Sequence, residues 1–497
     1  MTFNAVPVPD IYRKLPPNAA GTTQFMGRLG YSLEEALADI VDNSIDAKAK
    51  TVAIRLVRDG DKISHVVIAD DGHGITDGEL HDAMVFGVQS RHASQDLGRY
   101  GIGLKAASLS QCQSLAVLSK KGGLVSGRTW TREMMQDEWR VGVLTSTQCE
   151  DAFHVGFSGM EVSVAHGTIV IWDRLDGMLT HSSLLIDGLV ADLGVRFHRF
   201  IQAAEVSIAI EITNSLEEAP GTVYAVEAID PFGYGKTGRK GFPLAFKLQL
   251  GTTGGETTFE ATAHIWPPRQ KHDRNFNLGR KGQIASRQGF YFYRNRRLIK
   301  GGGWHQLKGD GEPHSSLARV MIDIPPEMDS FFRLTVQKND FKVPEEFINA
   351  VKKAESGTTR FQDYLNAAEE AYRNAPLPEE ESFSPGDGIP SALVRRLEGL
   401  FMSDGGGKPT AVEFVWDRLP DDRVFEIRFS PPAIVLNKVF RDKITGDRNS
   451  GADAPFVKVL IFLLVQQVFS AKRVSSNLAE WIEFINSALL LTLGQMR

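Results

Sequence analysis

LADIVDNSIDA (residues 37–47), DDGHGI (70–75) and GRYGIGLKAAS (98–108) stand in this order within the first quarter of the chain. The first belongs to a stretch, about 32–47, whose apolar residues recur at helical spacing. Leu33, Leu37, Ile40, Val41 and Ser44 fall on one face, and Glu35, Asp39, Asn43 and Asp46 on the other. The second closes a β-rich run (ISHVVIA, 63–69) that a turn, RDGD, joins to an earlier one (TVAIRLV, 51–57). The third sets Gly98, Gly101 and Gly103 directly before a helix start. A short helix near 78–86, a helix at 103–112 and strands at 114–119 and 167–175 complete a pattern of helices with a largely antiparallel sheet. This predicts an α/β fold of the two-layer α+β kind rather than a regular βαβ series.

Each stretch has the residue types of a nucleotide site. Asp39 and Asn43 are four residues apart, which puts their Cβ atoms about 6 Å apart on one helix face. An Asn amide oxygen suits Mg²⁺, a hard cation that keeps several of its waters, and a neighbouring carboxylate can orient and deprotonate an attacking water. The same spacing also describes a solvated helix face. Asp70, at a strand end, can accept a hydrogen bond from the exocyclic amine of adenine; the alternative is a simple turn after a strand. Glycines before a helix start leave backbone N–H groups free for an anion, and Lys105 adds charge in the first turn. The loop is not a Walker A loop, since no GK[ST] follows, and lacks the context of a dinucleotide-binding fingerprint.

Taken together and in order, the three motifs resemble the GHKL ATPase superfamily. Its Bergerat fold is shared by type II topoisomerase ATPase subunits, mismatch-repair MutL proteins, the large cytosolic heat-shock chaperone, histidine kinases and MORC proteins. The resemblance implies that ATP and Mg²⁺ are the ligands. It gives Asn43 to the metal, Asp70 to adenine, and Gly72 and Gly74 to the pocket floor. Gly98, Gly101 and Gly103, with Ser90, Tyr100, Ile102, Leu104 and Lys105, fall to the lid and phosphates, and Asp46 is a further nucleotide-binding candidate. Thr168, in HGTIVIW, is similar to the threonine that reaches the aspartate and adenine through water. The lid stretch 85–108 is most like that of MORC proteins. One position departs from the pattern: the family has glutamate where this chain has Asp39, a carboxylate on an arm one methylene shorter, so hydrolysis is less firmly implied than binding.

Beyond 182 a second strand-rich region follows. FYRNRRLI (292–299) and LTVQKNDF (334–341) resemble the strand and catalytic loop of the transducer domain of MutL, topoisomerase and MORC proteins. That resemblance makes Lys338 a second catalytic candidate, reaching the γ-phosphate from another domain. The expected organisation is an arm at 1–30, the ATP-binding domain at 31–182, a transducer-like β-α-β domain at 183–373 with one long helix over 344–373, a proline-rich acidic linker at 374–389, and a small, mostly helical segment at 390–497.

The composition narrows the classes further. The 497 residues exceed one ordinary core, and 42% hydrophobic with 24% charged residues is a globular balance. With two cysteines, Cys112 and Cys149, there is no disulfide framework. No secretory signal is read at the N-terminus, the apolar run 456–469 reads as a buried helix rather than a membrane span, and a cytoplasmic location is expected. The net charge of −5 gives no global pull toward nucleic acid, but 266–300 carries ten Lys or Arg against one acid, Asp273. Arg294, Arg296, Arg297 and Lys300 are therefore candidate nucleic-acid contacts; the alternative is a solvated sheet face. The aromatics 290–293 read as core. The resemblance to MORC- and MutL-type ATPases implies an ATP-gated homodimer, pairing through its ATPase domains, that clamps double-stranded DNA or other nucleic acid. A chaperone-like clamp on protein clients and a nucleotide-sensing scaffold with little turnover remain open alongside it.

Overall fold

The computed structural model describes residues 18–19, 21–22, 30–85, 97, 103–136, 140–157, 165–176, 182–215, 221–252, 255–268, 270, 273–280, 287–309, 311–329, 331–332, 343–374, 383–401, 409–446, 450, 452–470 and 476–495. Ser90, Gly98, Tyr100, Gly101, Ile102 and Lys338, with most of the expected arm 1–30, lie outside the described residues. The chain divides into two compact units, Met1–Ala375 and Pro376–Arg497.

The first unit holds two sheets. Helix α1 (Leu33–Asp46) starts at Ser32, whose hydroxyl accepts the Glu35 N–H while Glu35 reaches back to the Ser32 N–H, a capping box. It is followed by β1 (Thr51–Asp59), β2 (Lys62–Asp70), α2 (Asp77–Met84), α3 (Gly103–Gln111), β3 (Cys112–Lys121), β4 (Leu124–Thr131), β5 (Gly142–Val143), α4 (Ser146–Phe157), β6 (Gly167–Leu175), α5 (Ser183–Arg196), β7 (Ser207–Thr213) and β8 (Thr222–Ala225). The eight strands form one sheet in the order β5-β4-β3-β6-β2-β1-β7-β8. All its pairings are antiparallel except β1 with β7. One face is covered by α1, α3 and α5 through a core of Leu37, Ile40, Val41, Ile54, Ile68, Trp172, Leu189 and Phe197. The other face packs α4 through Phe153 and Phe157 against Val67, Leu118 and Ile169.

The second sheet is built from β9 (Leu244–Thr252), β10 (Gly255–Ile265), β11 (Gly289–Arg294), β12 (Arg297–Gly301) and β13 (Ala318–Asp323), in the order β12-β11-β13-β10-β9. Helices α6 (Glu345–Lys353) and α7 (Phe361–Arg373) cover it. Phe290 and Phe292 are buried among Trp304, Phe332 and Phe347, as the strand pattern of this segment implied.

Three boundaries differ from the sequence reading. The first sheet does not close at 182: Ile186 to Val226 belong to its core, because β7 pairs in parallel with β1 and brings α5 with it. The helix expected over 344–373 is broken by a two-stranded hairpin, Glu355–Ser356 with Thr359–Arg360, which turns at Gly357. The expected linker 374–389 includes β14 (Phe383–Pro385), already a strand of the second unit.

That unit carries, besides its helices, a four-stranded sheet in which β14 is joined by β15 (Thr410–Asp417), β16 (Phe425–Phe429) and β17 (Pro432–Asn437). The apolar helix Pro455–Ser470 buries Ile461, Phe462, Val465 and Val468, but Phe456 and Leu463 are exposed, so it is buried along one side and not all round. Its Lys458 is fully buried against Asp453 at 2.9 Å. Among the described residues no helix is long and apolar enough to cross a membrane.

Phe292 is fully buried, with Phe290, His305, Phe332 and Phe347 among its ring neighbours. Phe292→Ala is expected to destabilise the second sheet by about 3–5 kcal/mol, seen as a lowered midpoint in urea unfolding followed by tryptophan fluorescence.

Candidate nucleotide site

β2 delivers Asp70 to the open end of the first sheet, beside α1. The carboxylate is almost fully buried. Ser44 Oγ donates to its Oδ2 at 2.8 Å and the Gly72 N–H to its Oδ1 at 2.9 Å. Burial pushes the Asp70 carboxyl up to about 6, against the opposing pull of the Gly72 and Ser44 donors. Asp71, next along, accepts the Lys50 and Thr51 N–H groups at 2.7 and 2.8 Å and so fixes the start of β1.

The two glycines of DDGHG have different reasons to be glycine. A Cβ on Gly72 would lie 2.7 Å from the Ala47 Cβ and 2.9 Å from Asp70 Oδ1. Gly74 has φ +64°, and a Cβ there would fall 2.1 Å from the Lys120 carbonyl oxygen. The loop they form is pinned to the rest of the sheet. His166 Nδ1 lies 2.7 Å from the Gly72 carbonyl, the Ile75 N–H donates to Ser119 Oγ at 2.9 Å, and Ser119 Oγ lies 2.9 Å from Thr168 Oγ1. Thr168 stands directly opposite Asp70 in the β2–β6 register.

Along α1 the side chains divide in a way the helical periodicity did not show. Asn43 is exposed, free to offer an amide oxygen. Asp39, expected on the same open face, is instead buried. Its Oδ2 accepts from Tyr31 Oη at 3.1 Å, and a Cβ on Gly103 would lie 3.9 Å from that same oxygen, so Asp39 faces the first residue of α3 and the end of the glycine loop. Its Oδ1 lies 3.4 Å from Arg297 Nη2, and Arg297 Nε lies 2.8 Å from Asp42 Oδ1. Tyr31 is in turn tied to α3, since Gln111 Nε2 donates to its carbonyl at 3.1 Å, and burial beside Asp39 drives the phenol well above its ordinary range.

Asp46 and Lys105 both make contacts close to the stretch read as the lid. The Leu97 N–H donates to Asp46 Oδ1 at 2.9 Å. Lys105 was expected to add charge toward the phosphates; it is buried, and its ammonium donates to the carbonyls of Ala83 and Val85 at 2.8 and 2.7 Å, at the end of α2 where the lid stretch begins. Burial lowers it to about 8. Gly103 and Leu104, at the start of α3, are half-buried.

The arginines assigned to nucleic acid are the clearest correction. Arg297 is buried against α1. Arg294 is buried and donates through Nε to both Asp329 oxygens at 3.0 Å. Arg296 is exposed but pairs with Glu205 at 2.8 Å and lies over the Phe200 ring. Lys300 is exposed. Burial therefore removes Arg294 and Arg297 from the surface, Arg294 on Asp329 and Arg297 on the acids of α1. Tyr31, Ser44, Asp42 and Ser119 are site residues that the sequence reading missed. A trace of the Asp42 role was present in its spacing, three residues from Asp39.

A model of the family described as histidine kinase-, DNA gyrase B- and HSP90-like ATPases matches residues 31–162. This segment is a GHKL ATPase domain. The matched residues include α1, Asp70 and Gly103. ATPase morc-1 of Caenorhabditis elegans is 31% identical over 103 residues, which cover 21% of this chain and 12% of that protein. The MORC-type likeness thus concerns about a fifth of this chain and a small part of a much longer relative. GHKL ATPases bind ATP, and the residues here suit it: a buried carboxylate at a strand end for an amine donor, and an exposed Asn43 oxygen for Mg²⁺ with its water shell.

Two outcomes follow from the geometry. Gly74→Ala forces a left-handed conformation and a 2.1 Å overlap on one residue, so it is expected to cost about 2–3 kcal/mol of stability and to weaken nucleotide binding, checked by thermal melting with and without ATP. Because the folded-state carboxyl of Asp70 is raised, the unliganded protein gains stability from it fully below about pH 4 and loses that contribution as pH rises through about 6. An ionised carboxylate accepts an amine donor more strongly than the neutral carboxyl does. ATP affinity is therefore expected to fall as pH drops through about 6, by up to about tenfold per pH unit in a fluorescent-nucleotide titration, and Asp70→Asn should flatten that dependence.

Proposed function

We propose that this chain binds Mg·ATP in the site above and hydrolyses it slowly, and that nucleotide-driven pairing of two copies through the ATPase domain makes a clamp on nucleic acid. The observation that carries the reading is the placement of Asp39: its carboxylate is held within reach of the start of α3, where the phosphates of a nucleotide seated on Asp70 would end. In this reading Asp70 holds adenine with Thr168 opposite, Asn43 holds the metal, and Asp39 takes the proton from the attacking water. Mg²⁺ would supply charge neutralisation of the phosphates. Lys338 is the proposed second-domain contact to the γ-phosphate, a role in which a cation stabilises the charge of phosphoryl transfer.

The clamp and its DNA partner rest on the likeness to MORC-type ATPases, with Arg296 and Lys300 among the exposed members of the basic segment. A second reading has its own support: both oxygens of Asp39 already have partners, Tyr31 and Arg297, which fits a nucleotide-sensing scaffold with little turnover.

Steady-state ATP hydrolysis with Mg²⁺, with and without double-stranded DNA, separates them. The clamp is expected to show slow turnover that rises with DNA and falls by about 100-fold or more in Asp39→Asn, with ATP still bound. Tight binding with no Asp39-dependent turnover would leave the scaffold.

A further inference from the structure

The β11–β12 hairpin of the second sheet turns at Asn295 and Arg296, both with positive φ, and delivers Arg297 beneath α1. There one guanidinium meets two carboxylates three residues apart on the helix: Asp42 at 2.8 Å through Nε and Asp39 at 3.4 Å through Nη2. All three side chains are at most 6% exposed. The hairpin is seated by its neighbours. Arg296 binds Glu205 and the Arg199 carbonyl, Arg199 lies 3.7 Å over the Tyr293 ring and pairs with Asp323, and Arg294 grips Asp329. Arg297 is thus presented from a braced position and not from a free side chain.

We infer that Arg297 is a positioning residue for ATP hydrolysis, one that aims Asp39 from the second sheet. This rests on the proposed role of Asp39 as water-activating carboxylate. The charged and titratable groups around Asp39 are Tyr31 before the helix, Glu35 and Asp42 on it, Arg196 on α5 and Arg297 on β12. Arg196 is committed to Asp192, so Arg297 is the cation in direct ion-pair contact with Asp39 among the described residues. With Arg297 on Oδ1, Oδ2 is turned toward Tyr31 and the start of α3. An aspartate has one fewer rotatable bond than the family's glutamate, so contacts on its two oxygens bear directly on its aim. The arrangement also makes the second sheet part of the hydrolytic site, since a shift of the hairpin relative to α1 withdraws Arg297 and releases Asp39.

The test measures kcat and, separately, the dissociation constant of ATP by fluorescent-nucleotide titration. It compares the full chain with Arg297→Gln, Arg297→Lys and the double variant Arg297→Gln/Asp42→Asn. The double variant removes the cation together with its partner acid, so it leaves less uncompensated buried charge and serves if Arg297→Gln fails to fold. The expected result is a kcat lowered about 10- to 100-fold in the glutamine variants with ATP affinity within about twofold of the original, and partial rescue of kcat by lysine. Unchanged kcat in a folded glutamine variant that binds ATP would overturn the assignment. So would a parallel loss of affinity and turnover, which is the mark of general structural damage. ATP binding with no turnover by the unaltered chain would overturn it together with the role of Asp39, while failure to bind ATP at all would instead overturn the reading of the site itself.

Discussion

A buried guanidinium between two carboxylates joins the halves of the first unit. Arg297 comes from the edge strand of one sheet, Asp39 and Asp42 from the helix that lines the nucleotide site on the other. Taking three charges out of water is costly, and such a group is tolerable only where each charge has partners at close range. Here the constraint is met by bringing the second sheet against α1 and α5, and much else follows from it. Phe197 lies 5.6 Å below the guanidinium, His198 Nε2 is 3.0 Å from Tyr293 Oη, and Arg199 and Arg296 complete the seam with Asp323 and Glu205.

The nucleotide site has a corresponding economy of parts. Asp70 is kept in a setting that disfavours its charge, yet it is given two donors that favour it, Ser44 and the Gly72 amide. The balance leaves the carboxyl near the middle of the accessible pH range, where an amine donor from a ligand can complete its ionisation. The surrounding loop is fixed by backbone and hydroxyl contacts to Ser119, Thr168 and His166, so the pocket floor is set before a ligand arrives. Beside it, Asp46 accepts the Leu97 N–H, and Lys105 ties the start of α3 to the end of α2 through the Ala83 and Val85 carbonyls.

Much of the fold was legible from local pattern. The hairpin β1–β2 followed from two β-rich runs and RDGD, α1 from its apolar periodicity, and β6 from GTIVIWDRL. Asp70, Gly72 and Gly74 could be named because strand-end and tight-turn chemistry is written in adjacent residues. Misplaced features all depended on distant partners. The break at 355–360 answers to packing of two helices on one sheet, and the inclusion of 183–226 in the first core answers to the parallel pairing of β7 with β1.

The sequence by itself determined the order of elements, the glycine turns and the carboxylate and amide that mark a GHKL site, because each depends on residues within a few positions of one another. Tertiary structure decided what Asp39 and the basic segment do. Asp39 and Arg297 are 258 residues apart, and only the folded chain removes both from water and sets them against each other. A run of arginines has the same composition whether it faces DNA or its own protein. Which it does is fixed by the acids that the fold brings within ion-pair distance, and for Arg294 and Arg297 those are Asp329, Asp42 and Asp39.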